Sequence, residues 1–313
     1  MIEEIIVSGR MNPEIDPYLH VWGWEIPFYL FIGGLVAGIL FFSALYTIRG
    51  KENEYPSAVK IAPMFTPILL GLGLSALLLD LSHKLYFWQL YTNIRWESPM
   101  SWGAWTLMII YPLTIVWSAL WVKDVFPKWN WRYQWLEETI ETIRQYKRQM
   151  AWILMVLSII LGMYTGILLS AFNARPFWNT AILGPLFLTS GLSAGAALIM
   201  LLSKTTKEKH LFARIDLMLI GTELFLIIHL FMGLLAGTQV HIEAAKLFLG
   251  GEFTNSFWIF VVFGGLIFPA TLEILELRKI KIPHYISAIL VLFGSLALRF
   301  IVVDAGQASR WLY

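Results

Sequence analysis

Asp16 and His20 stand four residues apart, just ahead of the first long apolar run of the chain. If that approach is helical, both side chains share a face. Histidine changes charge near neutral pH. Beside a carboxylate at a membrane surface it is suited to hydrogen-bonding a quinone carbonyl and exchanging the proton that redox chemistry requires. The same pair also fits a polar interfacial segment leading into a helix, and these two residues alone do not choose between the readings.

Other ionisable groups fall inside apolar segments, where charge is costly and usually functional. They are Asp80, Glu223, His229, Glu273 and Arg299. Asp80, His83, His229, Arg299 and Asp304 could line a short proton route toward one membrane face, and Glu223 and Glu273 could extend one toward the other. Against this, Asp80 and Arg299 could simply neutralise one another, His229 could be a packed core histidine, and the glutamates could be helix-packing polar groups. A carboxylate at the depth expected for Glu223 must be paired or protonated.

Some chemistry is excluded. Cys is absent, which removes thiolate iron–sulfur ligation, disulfides and Cys-type zinc sites. Of the six His, His83 and His229 are the single conceivable pair for a bis-His haem, and they fall at unequal depth. No other metal-ligand spacing stands out, nor a phosphate-binding loop, a nucleophile triad or a selectivity filter. The formal net charge of +2 is too small to point to nucleic acid.

The elements that position these residues are membrane helices. The chain is 58% hydrophobic and 14% charged, whereas a soluble domain carries about 25% charged residues. A lipid-facing surface absorbs that excess. Eight segments are long enough to cross a bilayer, at about 24–48, 61–83, 101–122, 150–172, 180–203, 211–236, 253–277 and 283–303. The expected fold is therefore an all-α integral membrane protein of eight transmembrane helices. Between spans three and four, residues 131–148 read either as an amphipathic helix on the membrane surface or as a solvated loop helix. The polar start, Met1 to Arg10, reads as an exposed tail, and residues 1–23 lack the apolar core of a cleavable signal.

Lys and Arg set the orientation. Sixteen of the 23 follow spans one, three, five and seven, and seven lie on the opposite side. Both termini should face outward, and most of the polar residues above then collect on the outer side. Span one contains Gly34-Leu-Val-Ala-Gly38 and span five Gly191-Leu-Ser-Ala-Gly195. This offset repeat suggests two four-helix bundles related by an axis along the membrane normal, in residues 1–172 and 173–313. Small-xxx-small packing is the alternative source of the match.

The run from Trp22 to Gly38 (WGWEIPFYLFIGGLVAG) resembles the first helix of the NrfD-like, or polysulfide reductase membrane-subunit, family. Asp80-Leu-Ser-His83, Ser98-Pro-Met-Ser-Trp-Gly-Ala-Trp105, Tyr164-Thr-Gly-Ile-Leu-Leu-Ser170, Arg175-Pro-Phe-Trp-Asn179, Ser190-Gly-Leu-Ser-Ala-Gly195 and Arg299-Phe-Ile-Val-Val-Asp-Ala-Gly-Gln307 are similar to its later signatures. Each run is short, but together they cover nearly the whole chain in order.

The resemblance implies a membrane subunit in a prokaryotic cytoplasmic membrane. It would anchor a ferredoxin-like iron–sulfur subunit and a molybdopterin catalytic subunit outside. It would bind menaquinone or a related quinone at that face and carry no redox metal of its own. The family pattern of a His just before helix one, with a polar residue one turn earlier, maps onto His20 and Asp16. Asp16 departs from the pattern if the usual residue is an amide. Tyr164 matches the family's helix-four Tyr, Arg175 is a further candidate beside the pocket, and Asp80 is matched to a proton carrier. The Trp22–Trp24 turn and the 84–100 and 237–252 loops would dock the partner. A secondary transporter and a purely structural anchor remain the competing classes.

Overall fold

A polypeptide in hydrocarbon must satisfy its backbone N–H and C=O groups internally, which favours helices. Eight helices here are long and apolar enough to cross a bilayer, and there is no strand among the described residues. The structure is a computed structural model that describes residues 22–278, 280 and 283–310; Asp16 and His20 lie outside the described residues. The spans are α1 (Glu25–Ile48), α2 (Ser57–Asp80), α3 (Pro99–Val125), α4 (Lys147–Ser170), α5 (Leu183–Leu202), α6 (Thr206–Leu235), α7 (Thr254–Leu277) and α8 (His284–Ala308). Their bounds differ from those expected of the sequence by a few residues at either end.

α2 shows how proline reshapes a span without leaving polar atoms bare. Pro63 and Pro67 have no N–H, so the carbonyls four residues earlier, Val59 and Pro63, lose their helical donors. The first turns accordingly run as a π turn (Ser57–Ile61) and a 3-10 turn (Ala62–Phe65). Side chains of neighbouring spans add donors, and the Pro63 carbonyl also accepts the Thr66 N–H and, at 2.8 Å, the Thr66 hydroxyl of its own span. Ser43 Oγ of α1 donates to the Val59 carbonyl at 3.1 Å, and Ser118 Oγ of α3 to the Pro63 carbonyl at 2.7 Å. Trp117 Nε1 in turn donates to Ser43 Oγ at 2.9 Å.

α1 lies at the centre, packed against α2, α4, α5 and α8. The two glycine repeats meet there. A Cβ on Gly191 would lie 2.7 Å from the Gly34 carbonyl oxygen, and one on Gly195 2.7 Å from the Gly38 Cα. α1 and α5 therefore cross backbone to backbone, the close approach that small residues permit in membranes. Gly191→Val is expected to destabilise the protein by at least about 1–3 kcal/mol, the usual range for an overpacked core. A markedly lowered melting temperature in detergent would confirm this, and an unchanged one would refute the crossing. α7 and α8 approach similarly at Gly265 and Gly294, where α7 runs as a π-helix over Phe257–Ile267.

The ends that carry most of the Lys and Arg are laced by ion pairs. The helix Gln134–Arg144, within the stretch expected to be amphipathic, is tied to the end of α3. Lys123 pairs with Glu137, and Arg144 with Asp124 at 2.6 Å. Lys207, at the start of α6, meets Glu54 of the α1–α2 turn at 2.7 Å. That lysine and the Tyr55 hydroxyl hold the Glu54 carboxyl down at about 2, while burial pushes the Tyr55 phenol up. Glu208 Oε1 accepts the Ala58 N–H at 2.9 Å, joining α6 to α2. We call this the basic end, and the opposite face the Trp22 end.

Candidate functional site: a cavity at the Trp22 end

The residues entering α1 are fixed by the far end of the chain. Trp22 N–H donates to Gln307 Oε1 at 2.8 Å, and Gln307 Nε2 donates back to the Trp22 carbonyl at 3.1 Å. The Trp22 ring stacks on Trp178 with centroids 5.2 Å apart. Trp178 Nε1 donates to the Val302 carbonyl at 2.8 Å, and its ring fills the space a side chain at Gly306 would need. Trp22 is thereby held as one wall of a cavity.

That cavity, about 110 Å³, is enclosed by the Trp22 ends of α1, α2, α3 and α4. Its polar wall consists of Asp80 at the end of α2, Tyr29, Tyr91 and Tyr164; Leu30, Leu77, Met100 and Leu168 are among its apolar lining. Tyr164 and Tyr29 are both buried. The Tyr29 hydroxyl lies beside that of Tyr164 but has no aligned hydrogen-bond partner. A buried hydroxyl without a partner is costly, and here it faces space a ligand acceptor could enter. Burial pushes the Tyr91 phenol up, so at neutral pH this side chain is a neutral donor. Gly103 explains part of the Ser98–Trp105 motif: any Cβ there would fall on the Tyr164 ring.

Two grooves adjoin the cavity, sharing Leu81 and Leu90 with it. One, about 440 Å³, is lined by His83, Gln89, Asn93 and Arg95 of the α2–α3 connection. The other, about 300 Å³, is mostly apolar and lies between α2 and α3, along Gly71, Leu74, Leu78 and Tyr111.

The other residues singled out in the sequence lie elsewhere. Arg175 Nη1 donates to the carbonyls of Gln307 and Ser309 at 3.1 and 2.8 Å. It braces the segment that holds Trp22 and is not part of the cavity wall. Arg299 is fully buried between α5 and α8, donating to Ser190 Oγ at 2.5 Å and to the Phe187 carbonyl at 2.9 Å. It makes no ion pair with Asp80. Glu223 of α6 is buried near Arg299 and Ser190. His229 is exposed on α6, its Nδ1 2.8 Å from the Phe225 carbonyl of its own helix. Asp304 is half-buried near the Trp22 end of α8. The structure thus puts Asp80 and Tyr164 on the wall of one cavity, leaves His83 in the adjoining polar groove, and gathers Arg299 and Glu223 into a second cluster. Tyr29 and Tyr91 are wall residues that sequence reasoning passed over. Their one signal was a hydroxyl in an otherwise apolar, aromatic stretch, too common among 12 Tyr to stand out.

Fold and site together define an eight-span helical membrane protein with a phenol- and carboxyl-walled cavity at one face. The family model for polysulphide reductase, NrfD, matches residues 12–309, and the chain belongs to that family. It is 33% identical over 302 residues to the C subunit of polysulfide reductase from Wolinella succinogenes, with 92% of this sequence and 94% of that one covered. It is 31% identical over 313 residues to protein NrfD of Escherichia coli, with 92% and 96% covered. Identity to the NrfD homologue of Haemophilus influenzae is 28% over 308 residues, with 92% and 95% covered.

Proposed function

We propose that this chain is the quinone-reactive membrane subunit of a respiratory oxidoreductase of the polysulfide or sulfur type. Its partners are a ferredoxin-like iron–sulfur subunit and a molybdopterin catalytic subunit, docked on the Trp22 end, which faces outward. The observation that carries this reading is the amphipathic cavity, with its unpartnered Tyr29 hydroxyl and its continuation into an apolar groove between α2 and α3. A molecule with a polar, oxygen-bearing head and a long apolar tail, such as a quinone, fits such a space.

A menaquinone-type quinone, when bound, supplies chemistry that takes up or gives back two electrons and two protons. The hydroxyls of Tyr164 and Tyr29 donate to head-group oxygens and orient the ring. Trp22, Met100 and Leu168 pack on its faces and keep water out. His20, four residues after Asp16 in the sequence, would donate to a carbonyl. Asp80 holds a proton at the cavity wall and exchanges it with the open polar groove at His83. The aromatic cluster of exposed Trp96 and Trp102 with half-buried Trp105, centroids 5.2 to 5.7 Å apart, belongs to the docking face, since aromatic residues are enriched at interfaces.

Solvent extraction of the purified complex tests the reading. Co-purified menaquinone and inhibition by quinol analogues are expected. Absence of both would favour a transporter or a structural anchor. Orientation is tested separately: reporters fused after Arg310 and inserted near Arg144 should report opposite sides, with the carboxyl end outside. Both on one side would refute the arrangement.

A further inference from the structure

A second group of carboxyls lies in the basic half of the spans, away from the cavity. Asp216 of α6 and Glu273 of α7 are both fully buried and within hydrogen-bonding reach of each other. Ser193 Oγ of α5 donates to Asp216 Oδ1 at 2.5 Å. The other Asp216 oxygen and both Glu273 oxygens have no hydrogen-bond donor. No Lys or Arg forms an ion pair with either carboxyl among the described residues. Two ionised carboxylates cannot face one another in such a place without a cation. One proton between them supplies a donor and removes the repulsion.

The pair has an exit. Glu276 lies three residues beyond Glu273, about 4.5 Å further along a helix. It contacts His284 Nδ1 at the start of α8, and His210 Nε2 of α6 at 3.9 Å. The side chains of His284 and His210 are 31% and 37% exposed, whereas that of Glu276 is 6% exposed. The histidines are therefore partly exposed at the basic end while the glutamate is buried. Toward mid-membrane the next polar groups are Glu223, about 10 Å along α6 from Asp216, then Ser190 and Arg299.

We propose that Asp216 and Glu273 share one exchangeable proton, which enters and leaves from the basic face through His284 and Glu276. Only O–H and N–H bonds form and break: His284 takes a proton from water and passes one to Glu276, Glu276 passes one to Glu273, and no electron moves. The site goes beyond the quinone cavity and does not depend on it; only the use of its proton in turnover rests on the quinone reading.

Infrared spectroscopy of the full chain in liposomes tests this. At neutral pH the wild type should show a protonated-carboxyl carbonyl band that is lost in both Glu273→Gln and Asp216→Asn. Deuterium exchange of that band should slow by roughly tenfold or more in Glu276→Gln and His284→Ala, which remove positioned acid–base groups, while the band itself persists. Carbonyl regions of Glu273→Gln and Asp216→Asn identical to wild type would overturn the shared proton. Unchanged exchange in Glu276→Gln and His284→Ala would overturn the route. Helical circular dichroism on the same samples distinguishes a lost proton from a lost fold. Quinone extraction is a separate measurement, so failure of either reading leaves the other standing.

Discussion

Replacing His20 by alanine is expected to lower quinone-linked turnover by roughly 10²-fold or more, the scale for a lost positioned acid–base group. Activity of the catalytic subunit with an artificial electron donor should stay normal. His20 is one turn after Asp16 in the sequence. It precedes by two residues in the sequence Trp22, which lines the cavity and is pinned by Gln307. As a group able to give or take a proton, His20 would hold a head-group carbonyl oxygen and help move its proton. The substitution leaves the Gly34 and Gly38 crossing intact, so the complex should assemble. Full quinone-linked turnover in the variant would make His20 an interfacial bystander.

Gly103→Val should be equally damaging for a steric reason. No side chain fits at position 103 beside the Tyr164 ring, so the phenol must leave the cavity or α3 must move from α4. Quinone-linked turnover is expected to fall by about 10²-fold. Tyr164→Phe keeps the ring and removes one hydroxyl, so it should fall by only about tenfold, the worth of one hydrogen bond in a site shielded from water. Gly103→Val combined with Tyr164→Ala relieves the clash and should restore assembly without restoring turnover. If Tyr164→Phe matched wild type, the phenol would be a packing group. If Gly103→Val did, the close approach of α3 and α4 would be refuted.

The spans were legible in the sequence because a bilayer demands about 20 apolar residues and forbids bare backbone, and 15 Trp and 12 Tyr mark many of the ends. The two glycine motifs were legible as a matching pair, but their direct contact was not, since a spacing does not say which helix faces which. Asp80 and Tyr164 line one cavity. Arg175 is not, because its guanidinium is taken by the carbonyls of Gln307 and Ser309. The Asp80–Arg299 neutralisation weighed from the sequence does not form, since the serines of α5 and α8 surround Arg299 instead. Asp216 escaped notice because it sits two residues from Arg214 and reads as part of a charged helix end. Only the fold shows that a helix starting at Thr206 carries it deep among α5 and α7. Glu276 likewise reads as a loop-side charge until His284 is seen against it.

The most direct measurement is photolabelling of the membrane-bound complex with a photoreactive menaquinone analogue. A quinone in the Trp22-end cavity predicts label on peptides that contain Trp22 to Leu30, Asp80 to Ala104 and Tyr164 to Leu168, removed by excess menaquinone. Competable label confined to α6, α7 or α8, or no competable label on this protein, would contradict it.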